Sequence, residues 1–192
     1  MLTEAAARWM LVLHTALGVA AVGAATHLVI WVRRMNRGQV GLHRAVKKFA
    51  IISLVLHALA FLAGSVMYPT YKVEVRAAYL ENANAIVEEA VTHARAVDQI
   101  ARRENTSTVE QTVTSQLVAR AAKAARWFDV KEHWIALGLI ASAGLVLILL
   151  SWNPRRDGPS LGPIAFGLSL LIAGTVWLGA IIGVLTASYR AV

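Results

Sequence analysis

Four long apolar runs, separated by polar connections, set the pattern of this 192-residue chain. They extend from Trp9 to Val32, from Phe49 to Met67, from about Trp134 to Trp152 and from about Leu161 to Ala187. None carries an Asp, Glu, Lys or Arg. At 1.5 Å per residue the first run alone makes about 36 Å of helix, enough to cross the hydrocarbon layer with some tilt. Each run predicts a membrane-spanning helix, because backbone groups in lipid must be satisfied within their own segment. The first run does not read as a cleavable signal peptide. Glu4 precedes it, a basic leader is lacking, and it is too long for the apolar part of such a signal.

The polar segment 68–133 is too long to be a bare connection. Tyr68-Pro69-Thr70-Tyr71 reads as a break, since proline removes a donor and restricts its predecessor. Beyond it, Leu80, Val87, Ala94, Val97 and Ala101 recur at helical spacing. Glu104-Asn105-Thr106 reads as a turn, and Ser107 with Glu110 as a capping box that starts another helix. Val109, Val113, Leu117, Ala124 and Phe128 mark one face of that helix. The pattern predicts an extramembrane helical hairpin over 70–130. The expected fold is an all-α integral membrane protein: one membrane domain, a four-transmembrane-helix bundle with this hairpin between the second and third spans.

Composition agrees. The chain is 57% hydrophobic, with a mean hydropathy of +0.57. The net charge of +8 is unevenly placed. Arg33, Arg34, Arg37, Arg44, Lys47 and Lys48 lie in one short connection, and Arg155 and Arg156 in another, with Asp157 the sole acid of the two. Segment 68–133 is balanced, with nine basic and nine acidic residues. The excess is therefore a topology signal rather than a nucleic-acid footprint. It places connections 33–48 and 153–160 in the cytoplasm and both termini outside. Interfacial aromatics agree: Trp9, Tyr68, Tyr71, Trp127, Trp134 and Tyr189 fall at the outer ends, and Trp31 and Trp152 at the inner ends. Trp177, near mid-span, is expected to pack inside the bundle. The bacterial inner membrane is the expected location.

The chain has no cysteine, which excludes disulfides, thiolate metal sites and covalently attached haem. Three ionisable residues lie within the spans: His14, His27 and His57. Such residues are costly in lipid and are functional candidates. His43 and His133 sit at the membrane edges and His93 in the hairpin. Neutral imidazoles on neighbouring helices can ligate a haem iron. His43 and His57 are fourteen apart, about 21 Å along one face, with Ala50 and Gly64 on the same stripe leaving room for a flat macrocycle. His14 and His27 are thirteen apart, about 20 Å but roughly 140° around the helix. Antiparallel neighbours pair His14 with His57 toward the outside, and His27 with His43 toward the cytoplasm. His133 competes for the outer site. In outline this resembles di-haem membrane cytochromes b, in which two helices each carry two histidines about four turns apart. His14 and His27 depart from that pattern.

The resemblance implies a b-type cytochrome with one haem b, or two, acting as an electron-transfer subunit of an oxidoreductase complex rather than a stand-alone enzyme. It would work between the quinone pool and an external partner, with further subunits in the membrane. The competing reading is a cofactor-free accessory or scaffold subunit, built on small-residue pairs such as Gly179 with Gly183 and Gly138 with Ser142. In that reading the buried histidines bond across to Thr15, Thr26, Ser53, Ser65, Ser142, Ser169, Thr175 or a backbone carbonyl. A sensor whose hairpin reads an external signal is a third, lesser reading. Asp129, Lys131, Glu132 and His133 form a polar cluster suited to interfacial solvation or to quinol deprotonation.

Overall fold

The computed structural model describes residues 2–107 and 114–188. Among them every regular element is helical. α1 spans Glu4–Asn36, capped by Thr3, whose hydroxyl accepts the Ala6 N–H. A short 3-10 turn, Val40–Leu42, leads into α2, His43–Thr70. α3 spans Ala83–Glu104 and α4 Thr114–Ser151. A four-residue turn, α5 (Pro154–Asp157), precedes α6, Gly162–Ser188. Four helical stretches are long and apolar enough to cross a membrane: Glu4–Asn36, Val40–Leu80, Thr114–Ser151 and Gly162–Ala187. Only 22% to 33% of each apolar stretch is buried by the rest of the chain. Val19, Ile140 and Leu147 stand about two-thirds exposed. In water such a surface would aggregate; in a bilayer it is the lipid face.

The described residues fall into two compact units. The larger comprises Leu2–Met67 and Val130–Ile182. Its core is made by Leu28, Val32 and Met35 of α1, Val46 and Ala50 of α2, Leu145 and Leu149 of α4, and Ala165 and Ile172 of α6. Trp152, expected at an interface, is buried beside this core and donates its Nε1–H to the Gly158 carbonyl at 3.0 Å. Asn36 donates to the Gly162 carbonyl at 2.7 Å and ties the α1 end to the α6 start. Trp177 is not inside the bundle. It is half-exposed, with its indole N–H donating to Thr26 Oγ1 at 3.1 Å across the α1–α6 seam. The hydrogen bond satisfies the one polar atom of the ring and leaves its apolar body free to face lipid.

The smaller unit comprises Tyr68–Asp129 and the described residues from Gly183 onward. Pro69 does not end the second span. α2 passes through it and widens into a π-helix over Tyr71–Leu80. Wider i→i+5 turns change which carbonyls are paired, one way a helix absorbs a lost donor. The true break is at Glu81, and Asn82 caps α3 by accepting the Ala85 N–H. Leu80 thus belongs to the preceding helix. The turn at Glu104–Thr106 forms as read, with Asn105 in the left-handed conformation at φ 57°. The capping-box residue Glu110, with Val109 and Val113, lies outside the described residues, as does Tyr189. Leu80, Ile86, Ala121 and Ala125 form a second core, packed by Tyr71, Tyr79 and Leu117. Tyr71 stacks on Phe128 at 3.9 Å, and Arg76 grips Asp129 through two bonds of 2.6 and 3.2 Å while reaching Glu81 at 2.8 Å.

Candidate functional site

His57 is the most deeply buried titratable side chain of the spans, at 1% exposure. It lies on the α2 stripe with Val46, Ala50 and Ser53, all buried. Spacings of four, three and four residues keep that stripe on one helix face. Its ring enters a recess at Gly138 of α4. A Cβ there would come within 2.8 Å of His57 Cε1 and would collide with the Thr175 hydroxyl of α6. Glycine is thus required for α2, α4 and α6 to meet at this level. Both ring nitrogens are buried without a hydrogen-bond partner. The Ile135 carbonyl of α4 faces the ring but stands outside hydrogen-bonding geometry.

Five of the hydroxyls that the sequence offers as partners turn back onto their own helices. Thr26 donates to Val22, Ser65 to Phe61, Ser142 to Gly138, Ser169 to Phe166 and Thr175 to Ile172, at 2.8–2.9 Å. Helical Ser and Thr make this local bond readily, and it competes with cross-helix pairing.

His14 is half-buried and does make the cross-helix bond. Its Nδ1 lies 2.9 Å from the Ala60 carbonyl of α2. A carbonyl only accepts, so Nδ1 carries the proton and Nε2 keeps its lone pair. The ring rests on Gly64, where a Cβ would stand 3.1 Å from Cε1. The space reserved by sequence reasoning for a macrocycle is therefore taken at Gly64 by an imidazole, and Ala50 is packed into the core. His14 and His57 are seated on different partners. His57 and Gly64 share one face of α2, about 10.5 Å apart by helical rise.

The remaining histidines are dispersed. His27 is exposed, bonded through Nδ1 to the Gly23 carbonyl of its own helix at 2.9 Å and stacked on Phe49 at 6.5 Å. His43 is half-buried and lines a cavity with Arg44 and Arg155. His133 is exposed on α4, and His93 is exposed on α3. Among the described residues no group of three or more His, Asp or Glu side chains converges to hold a metal ion. Sequence reasoning missed Gly138 and Thr175 as the walls around His57. The small-residue pair Gly138 and Ser142 was the available signal, but it does not say what fills the recess.

Comparisons with protein-family models, with curated proteins and with solved structures find no match for this chain.

Proposed function

We propose that this chain is a b-type cytochrome subunit of a membrane complex, passing electrons between the quinone pool and a partner on the outer side. The basic connections 33–48 and 153–160 would then face the cytoplasm. One observation carries the reading: a 1%-exposed imidazole in mid-bundle, His57, has no hydrogen-bond partner at either ring nitrogen. A buried polar atom left unpaired costs about 1–3 kcal/mol, and an iron–nitrogen bond would remove part of that cost. The donor chemistry fits haem. His57 supplies a neutral imidazole in an apolar shell, and His14 has its Nδ1–H anchored on a carbonyl, which orients the ring and raises the basicity of Nε2. Haem bound there would supply one-electron redox chemistry. The protein's part would be to hold the imidazoles of α1 and α2 and to exclude water from them.

A second reading is favoured by the packing. The recesses at Gly64 and Gly138 are filled by the chain's own imidazoles, as in a bundle that uses small residues for close helix approach. In that case the chain is a cofactor-free scaffold subunit. An absorbance spectrum of the purified protein, oxidised and dithionite-reduced, separates the two. A Soret band with a sharp α band on reduction is expected, with His57→Ala removing at least half of it. A colourless protein after expression with added haem precursor would sink the cytochrome reading, and haem unchanged in His57→Ala would sink the ligand assignment.

A further inference from the structure

At the end of the bundle that carries the basic connections, a cavity of about 350 Å³ is lined by Val40, Gly41, His43, Arg44, Asn153 and Arg155. Its walls come from both connections, so it exists only because the α1–α2 and α4–α6 turns meet. Arg155 makes that meeting specific. Its Nη2 lies 3.0 Å from where a Cβ of Gly41 would stand, so the guanidinium lies over the glycine backbone. No carboxylate lines the space. The adjacent acid, Asp157, is engaged elsewhere: Arg156 donates to it at 2.7 and 3.1 Å, and the Asn153 backbone N–H at 2.8 Å. Arg44 and Arg155 have no acidic partner among the described residues. His43 adds a buried Nε2 that bonds to nothing.

Two planar guanidinium forks, an imidazole and an Asn amide around a roomy polar space present several donors and no competing anion. That donor set matches the tetrahedral oxygens of phosphate. We propose that this cavity binds a phosphate-bearing anion, either the headgroup of an anionic phospholipid at the membrane edge or free phosphate. Headgroups lie at this depth, where juxtamembrane basic residues meet anionic lipid. The cavity goes beyond the haem reading and involves neither His14 nor His57.

The test uses the full chain purified in a neutral detergent, with thermal unfolding followed at constant ionic strength. Inorganic phosphate is titrated in one arm. In the other, phosphatidylglycerol is compared with phosphatidylcholine in mixed micelles. The expected result is a Tm rise of about 5 °C at saturation. A rise with phosphatidylglycerol alone assigns the headgroup, with inorganic phosphate alone the free ion, and with both the shared phosphate group; each upholds the site. Arg44→Gln with Arg155→Gln should abolish the rise. So should Gly41→Asp, which sets a carboxylate beside the Arg155 guanidinium and needs no arginine removed. Arg33→Gln with Arg37→Gln, which removes the same charge from the same end outside the cavity, should retain it. No rise with either ligand, an equal rise with phosphatidylcholine, or a rise that survives in both cavity variants would overturn the proposal.

Discussion

His14 and Gly64 interlock across the α1–α2 seam: a Cβ on Gly64 would stand 3.1 Å from Cε1 of His14, whose Nδ1–H is bonded to the Ala60 carbonyl at 2.9 Å. The imidazole joins two spans through one hydrogen bond and one close packing contact. Both can be removed separately. His14→Leu keeps the bulk and loses the bond, at a cost of about 0.5–1.5 kcal/mol. Gly64→Val forces the ring away, at roughly 1–3 kcal/mol. Because both act on one contact, the double variant should cost less than their sum, as read from unfolding midpoints. A fully additive result would mean that the two residues do not touch.

Gly138 holds the tightest approach described in the larger unit. Gly138→Ala should lower stability by roughly 1–3 kcal/mol, because the new methyl meets the Thr175 hydroxyl and His57 Cε1 together. Thr175→Ala should recover much of that loss. Gly144→Ala, on the same helix with nothing near its Cβ position, should be neutral or slightly stabilising. Equal effects of the two alanines in a thermal melt would argue against the recess.

His57→Leu distinguishes the site's two states. Without a cofactor the leucine replaces an unpaired buried imidazole by an apolar side chain, so Tm should hold or rise. With haem bound in the parent protein, the same change should remove the pigment and lower Tm relative to the loaded parent. A Tm loss in haem-free protein would show that the imidazole is satisfied by a partner.

Asp129→Asn should weaken the smaller unit by on the order of 1–3 kcal/mol, since it breaks a charge-assisted pair of bonds to a half-buried guanidinium. Arg76→Lys should recover little of the Arg76→Ala loss, because an ammonium cannot bond both carboxylate oxygens in parallel. Limited proteolysis between Tyr68 and Asp129 is the readout, with faster cleavage expected in each variant.

Orientation is open to a reporter fusion. Fusions at Gly38 and after Pro159 should report the cytoplasm, and one at Asn105 the outside. An external signal at Gly38 would invert the topology.

Local pattern alone determined a good deal of this protein. Span length and the lack of charge in the four apolar runs marked the four helices, because bilayer thickness acts on composition over some twenty residues. The turn at Asn105 was equally legible, since a short polar residue tolerates a left-handed backbone. The break assigned to Pro69 fell at Glu81 instead. Proline's local penalty was weaker than the continuity of the helix, which re-formed with wider turns. Only the tertiary structure decided the sites. Sequence spacing put His14, His57 and Gly64 on helix faces but said nothing of helix rotation or depth. Packing then set the His14 ring on Gly64 and the His57 ring on Gly138, 81 positions along the chain. Spacing along α2 offered His43 as a candidate second-haem ligand and could not show its neighbours. Arg155, from a connection more than a hundred residues away, makes its surroundings a basic cavity. Hydropathy is a property of a segment. A site is a property of which segments touch, and in a lipid-facing bundle that is fixed by small residues and side-chain shape rather than by polarity.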